Sequence, residues 1–259
     1  MTSTMNRVLI FLIFSNVILY GEDLTPYEVM ERVYSLKKPK TSIMEIKLEI
    51  IRKKGKREKK KVREFTRYEK YYDSGEYRSK SISRFTEPKV IKGTGLLSWV
   101  ARNGKNKQWF FLPKLKTAKK VTTKEKSKSF LNTDFIYEDL EGRNLGLDSL
   151  ATVGVEFLDS KQCRVLMAWP KNESHYFSRK LWINNQNWQI CKVEYYISES
   201  IKEKTLFLSE FIEKNGFVTP GKLIMEVEGG NKTIMKITSF QPDIGLNEEI
   251  FSKSFLIKT

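Results

Sequence analysis

Histidine is almost missing from this sequence: His175 is the only one in 259 residues, and cysteine occurs only as Cys163 and Cys191. A lone histidine in the turn-like run Asn172-Glu-Ser-His-Tyr176 argues against most nucleophilic triads and reads as a solvated surface residue. One histidine and two cysteines do not make a zinc site either. If Cys163 to Trp169, Phe177 to Ile183 and Trp188 to Tyr196 form a meander, the cysteines lie two strand spacings apart. That is about 9–10 Å, beyond the ~7 Å Cα limit for a disulfide, so two buried free thiols are expected. Gly93-Thr94-Gly95 lacks the following helix and the spacing of a phosphate loop. No catalytic residue, metal ligand or cofactor is expected from this inventory.

Long hydrophobic runs are also missing after residue 20. Arg7 precedes one apolar run, Val8 to Tyr20, and Gly21-Glu-Asp then changes the composition abruptly. The run is too short to span a bilayer and suits a secretory signal, so residues 1–21 are expected to be a signal peptide. Leu19 is large for the −3 position, which keeps a retained N-terminal anchor open. No cysteine follows the run, so a bacterial lipoprotein is not expected. Neither a low-complexity linker nor an internal repeat divides residues 22–259, which are expected to form a single domain.

What is abundant is positive charge, 47 Lys and Arg against 31 Asp and Glu, a net +16. Such a balance favours acidic partners, from nucleic acid to anionic lipid headgroups, and it equally describes a lysine-rich solvated face. The charge concentrates at Arg52 to Lys61, read as a hairpin tip, and at Lys114 to Lys128.

The rest of the chain is written in strands. Thr25-Pro26 opens one amphipathic helix running to Lys37-Lys38-Pro39. From Ser42 the period becomes two, with Met44, Ile46, Leu48 and Ile50 on one face. Lys60 to Tyr71 and Tyr77 to Phe85 continue the pattern. Gly93 and Gly95 mark a tight bend, and Asn103-Gly104 joins Leu96 to Ala101 and Gln108 to Leu112 as a hairpin that Pro113 ends. Lys119-Lys120-Val121 reads as a charge-protected edge strand. Seven further runs between Val153 and Phe240, separated by turn signals, predict a large antiparallel sheet, sandwich or barrel. Asn247 to Phe251 reads as a short terminal helix. A membrane-spanning β-barrel is disfavoured, because the sequence ends in Ile-Lys-Thr259 and Trp109-Phe-Phe-Leu112 breaks the alternation such barrels need.

Three phrases follow one another in the centre: F-x-E-P-x-x-x-K-G-T-G-L-L-x-W at Phe85 to Trp99, Q-W-x-x-L-P-x-L at Gln108 to Leu115, and S-F-x-x-x-D-F-x-Y-E-D-L at Ser129 to Leu140. Together they resemble the outer-membrane lipoprotein-sorting family, whose fold is like that of the periplasmic carrier LolA. The family usually has a small, glycine-containing step where this sequence has Leu131-Asn132-Thr133. The resemblance implies a mainly β fold: a large curved antiparallel sheet, a half-barrel, with a few short helices covering its concave face. It implies a carrier and not an enzyme, holding lipid or lipoprotein acyl chains in an apolar cavity in the periplasm. An inner-membrane transporter and an outer-membrane acceptor are the implied protein partners. Peripheral contact with an anionic membrane is compatible with it, and nucleic acid is not expected.

Within that reading, alternation nominates Leu97, Trp99, Trp109, Phe111 and Met167 as lipid-binding residues, and Phe130, Asp134, Phe135 and Tyr137 as a lid. On a short helix Asp134 and Glu138 share one face, which suits a lid with a polar and an apolar side; a capped surface loop whose acids pair with lysines is the plainer alternative. The competing function is an exported basic protein that recognises acidic polymers or anionic surfaces. An exported hydrolase is disfavoured by the lone His175.

Overall fold

The computed structural model describes residues 24–258; the expected signal peptide, residues 1–21, lies outside them. Helix α1 (Pro26–Tyr34) precedes three long strands, β1 (Thr41–Lys54), β2 (Arg57–Tyr71) and β3 (Tyr77–Glu87). Three shorter strands follow, β4 (Gly95–Ala101), β5 (Lys107–Leu112) and β6 (Thr117–Lys120). After residues 121–147 come β7 (Asp148–Leu158), β8 (Lys161–Pro170), β9 (Ser178–Asn184), β10 (Ile190–Tyr196) and β11 (Lys202–Ser209). A small hairpin, β12 (Ile212–Lys214) and β13 (Phe217–Thr219), leads to β14 (Lys222–Val227) and β15 (Lys232–Pro242). A 3-10 turn, Glu248–Phe251, and helix α2 (Lys253–Ile257) complete the described chain.

Thirteen strands form one open antiparallel sheet in the order β6-β5-β4-β3-β2-β1-β15-β14-β11-β10-β9-β8-β7. It is the expected curved half-barrel with few helices. The two runs of strands meet at its middle, where β1 pairs with β15 from Ser42 opposite Pro242 to Ile51 opposite Lys232. Met44, Ile46, Leu48 and Ile50 are buried on the inner face, as their period of two requires. Val29 and Met30 of α1 join them in the main core, and burying each contributes about 1.5–3 kcal/mol.

Helix α1 starts where the sequence predicts. The Thr25 hydroxyl accepts from the Glu28 N–H at 3.3 Å, the Glu28 carboxylate accepts from the Thr25 N–H at 2.8 Å, and Pro26 occupies the first turn. It ends at Tyr34, short of the expected Lys38, with the Ser35 hydroxyl donating to the Arg32 carbonyl at 2.9 Å. On the outer face the C-terminal segment covers β3 to β5: Leu256 packs with Ile82, Leu97, Trp109 and Phe111. A Cβ at Gly95 would come within 2.7 Å of Leu256 Cδ1, so glycine there answers a close approach.

One local expectation needs correction. Trp188 is not in a strand but in the turn before β10, at φ 59. Cys163 and Cys191 are buried and free, as expected, on β8 and β10 with β9 between them. Burial, helped by the neighbouring Cys191, pushes the Cys163 thiol up to about 11.

Candidate functional site

Strands β6 and β7 are consecutive in sequence but form opposite edges of the sheet. Residues 121–147 therefore have to cross it, and they do so over the inner face. Phe130, Phe135 and Ile136 enter the main core, and Phe130 packs against Tyr137, Phe85 and Phe110 with ring centroids 5.5–6.1 Å apart. Connections this long in a compact fold are uncommon and often functional.

The acidic residues of the third phrase fasten this crossing segment. Asp134 binds Arg52 at 2.8 Å and accepts from the Thr233 hydroxyl at 2.6 Å, tying it to β1 and β15. Asp139 binds Lys204 of β11 at 2.6 Å and accepts from the Tyr176 hydroxyl at 2.6 Å and the Ile136 N–H at 2.8 Å. Glu138 accepts from the Ser174 hydroxyl and, at 2.8 Å, from the His175 N–H. His175 Nε2 in turn lies 3.0 Å from Glu203. Both side chains of the Lys204–Asp139 pair are about 98% buried, a setting in which removing one partner strands a charge at about 3–5 kcal/mol. Burial, and then the Asp139 charge, drive the Tyr176 hydroxyl well above the usual phenol range.

Between α1, the end of the crossing segment and the second half of the sheet lies a cavity of about 650 Å³, within the roughly 300–1,000 Å³ usual for ligand sites. Its floor is apolar, with Leu150, Ala168, Leu181, Val193 and Leu206 each supplied by a different strand from β7 to β11. Met30, Val33 and Tyr34 of α1 roof it, and Glu138, Asp139, Glu141 and Arg143 of the crossing segment form one wall. Arg78, Asp148 and Arg179 line the polar side, together with Lys37, Lys38, Lys40 and Asp73. Arg143 Nε lies 3.1 Å from Asp148 Oδ2, and Arg179 Nη2 lies 3.1 Å from Asp148 Oδ1.

The residues nominated from sequence fall elsewhere. Leu97, Trp99, Trp109 and Phe111 lie on the outer face beneath the C-terminal segment, where the Trp99 indole donates to the Phe251 carbonyl at 2.9 Å. Met167 shares its face of β8 with Cys163 and Val165 of the small outer cluster. Alternation separates two faces correctly but does not say which is concave, and Trp99 and Trp109 mark the other one. Phe111 does border a second, outer hollow beside Gly93 and Ile257. Of the lid residues, Phe130, Asp134, Phe135 and Tyr137 hold the crossing segment to the sheet, while its cavity wall begins one residue later at Glu138. Arg179 and Lys204 belong to the site although no sequence motif contains them. Their signal is a cation at an inward position, two residues before the buried Leu181 and Leu206.

A family model described as "-like: Uncharacterized protein" matches residues 77–258. The chain belongs to that family. Its fold is shared with a domain described as an outer membrane lipoprotein-sorting protein from Vibrio parahaemolyticus, at 22% identity and a TM-score of 0.83, covering 90% of this chain and 98% of that one. A DUF1329 family protein from Desulfovibrio piger is 24% identical with a TM-score of 0.82, covering 89% and 97%. A LolA superfamily protein from Nitrosomonas europaea is 20% identical with a TM-score of 0.67, covering 90% and 99%. At these identities the likeness is one of fold, and the fold is LolA-like, as the three phrases imply. No curated protein matches the sequence.

Proposed function

We propose that this protein is a periplasmic carrier that holds the acyl chains of a lipid or lipoprotein in the inner-face cavity and helps move them towards the outer membrane. The observation that carries the reading is the apolar floor drawn from five strands, roofed by α1 and walled by the crossing segment. Each buried methylene contributes about 0.8 kcal/mol, so a chain of roughly a dozen carbons is held without covalent chemistry. The carrier fold of the similar structures supports the same reading. Residues 1–21 direct export and are removed, leaving 22–259 as one carrier domain. An inner-membrane transporter loads it and an outer-membrane acceptor unloads it. The exposed basic tip from Lys53 to Val62 makes transient contact with anionic membrane.

The test is lipid extraction and mass spectrometry of protein purified from its native envelope, followed by titration of the delipidated protein with a fluorescent fatty acid. Co-purified acyl lipid and saturable probe binding are expected. Leu208→Gln, at the cavity wall, should weaken probe binding by about tenfold, equivalent to about 1.4 kcal/mol. Trp99→Gln, on the outer face, should leave it unchanged. Protein that carries no lipid and binds no probe would leave the exported basic binding protein, whose capture of acidic polymers must fall with salt.

A further inference from the structure

The polar side of the cavity holds more guanidinium than its carboxylates satisfy. Asp148 is shared by two arginines, Arg143 and Arg179. The other acids of the crossing segment are already engaged: Glu138 by Ser174 and His175 and, at 4.0 Å, by Arg143, Asp139 by Lys204, and Glu141 by Lys126 at 2.9 Å. Arg179 has a side chain 91% buried, and its Nε has no hydrogen-bond partner among the described residues. The same holds for the buried Nε of Arg78, whose guanidinium sits 5.6 Å from the centre of the Tyr34 ring. Gly142 of the crossing segment makes room for it, since a Cβ there would come within 2.8 Å of Arg78 Nη2. A buried donor without a partner is costly, and a guanidinium fork is shaped for two oxygens of one phosphate or carboxylate.

We propose that Arg78 and Arg179, with Arg143 alongside, form an anion subsite that takes the phosphate or carboxylate head of an acyl ligand whose tail lies on the apolar floor. The inference rests on the carrier reading and narrows its cargo to anionic amphiphiles. Floor and arginines line one continuous cavity, so head and tail are served together. Burial, and then the charge of Arg143, pull the Arg179 guanidinium below its ordinary range; the negative charge of an incoming anion opposes both effects.

The experiment compares dodecyl phosphate, dodecanol and inorganic phosphate as competitors of a fluorescent acyl probe on the delipidated full chain. Dodecyl phosphate should bind at least about tenfold tighter than dodecanol, a difference of about 1.4 kcal/mol. Arg179→Gln should collapse that ratio towards one. Arg78→Gln, whose guanidinium has no ion pair with Asp148, is the second variant if the first does not fold. Equal binding of dodecyl phosphate and dodecanol would overturn the subsite while leaving the carrier standing. Failure of both to bind would overturn the carrier reading and the subsite with it. Inorganic phosphate competing as well as dodecyl phosphate would make this a free-anion site and overturn the headgroup assignment. An unchanged ratio in both variants would overturn the assignment to these arginines.

Discussion

Leu131 and Asn132 occupy consecutive left-handed conformations, at φ 50 and φ 58. This is the step at which the resembling family places glycine, so the departure seen in the sequence marks a backbone requirement met here by other means. Arg63 donates to the Leu131 carbonyl at 2.6 Å and Arg52 to the Asn132 carbonyl at 2.7 Å, holding both peptide units from β2 and β1. Asparagine tolerates this region and β-branched residues do not. Asn132→Val should therefore destabilise the protein by about 1–2 kcal/mol, a fall in Tm of roughly 2–8 °C. Asn132→Gly should match or exceed the parent, and thermal unfolding followed by circular dichroism distinguishes the two. The sequence made this position visible as an anomaly. Its two arginine partners lie about 70–80 positions away in the chain, where no local pattern links them to it.

At the scale of elements, the strands were legible because a half-buried sheet imprints a period of two, and the turns because glycine, asparagine and proline mark them. Strand β7 begins at Asp148, five residues before the expected Val153, because Asp148 is held by Arg143 and Arg179 and not by apolar periodicity. The C-terminal helical piece is legible in the sequence, whereas the surface it covers is not. It seals the outer face, with the Arg84 guanidinium donating to the Phe255 and Leu256 carbonyls at 2.8 and 3.0 Å. Glu248 anchors its start, 2.6 Å from Lys80 and 3.0 Å from Lys70. Burial pushes the Glu248 carboxyl up, but hydrogen bonds from Lys80, Lys70 and Tyr72 outweigh it and hold the pKa at about 2. A depressed carboxylate contributes stability above its unfolded value, near 4.5, and loses it as the pH falls through the folded one. Fluorescence of Trp99, whose indole bonds the Phe251 carbonyl, should accordingly report loosening of this segment between about pH 4.5 and pH 2. The Glu248→Gln variant should lose that acid step. A step that persists unchanged in the variant would place the titrating group elsewhere.

For the whole molecule, the architecture was readable from three short phrases, whereas the cavity was not. A cavity depends on which face curves inward, and that depends on the long-range pairing of β1 with β15. The aromatic richness of β4 and β5 drew attention to the outer face because a well-covered core and a ligand wall have the same composition. The arginines and carboxylates that border the cavity come from β3 and the turn before it, the crossing segment, β7 and β9, and they converge only after the sheet has formed.

The meeting of β1 and β15 at the middle of the sheet has a topological consequence. Strands β1 to β6 form one uninterrupted meander and β7 to β15 supply the other half; one ladder joins the halves within the sheet, and the crossing segment is their covalent tie. A chain cut in its exposed lysine-rich part, near Lys124, is then two fragments each holding one side of a shared hydrogen-bonded seam. Co-expressed, residues 24–124 and 125–258 should reassemble into a stoichiometric complex that co-elutes in gel filtration, the protein behaving as a natural heterodimer whose linker happens to be intact. Replacing Leu48 and Met235, which face each other across that seam, with aspartate should abolish the reassembly. Fragments that elute separately would show that the covalent connection, and not the seam, holds the halves together.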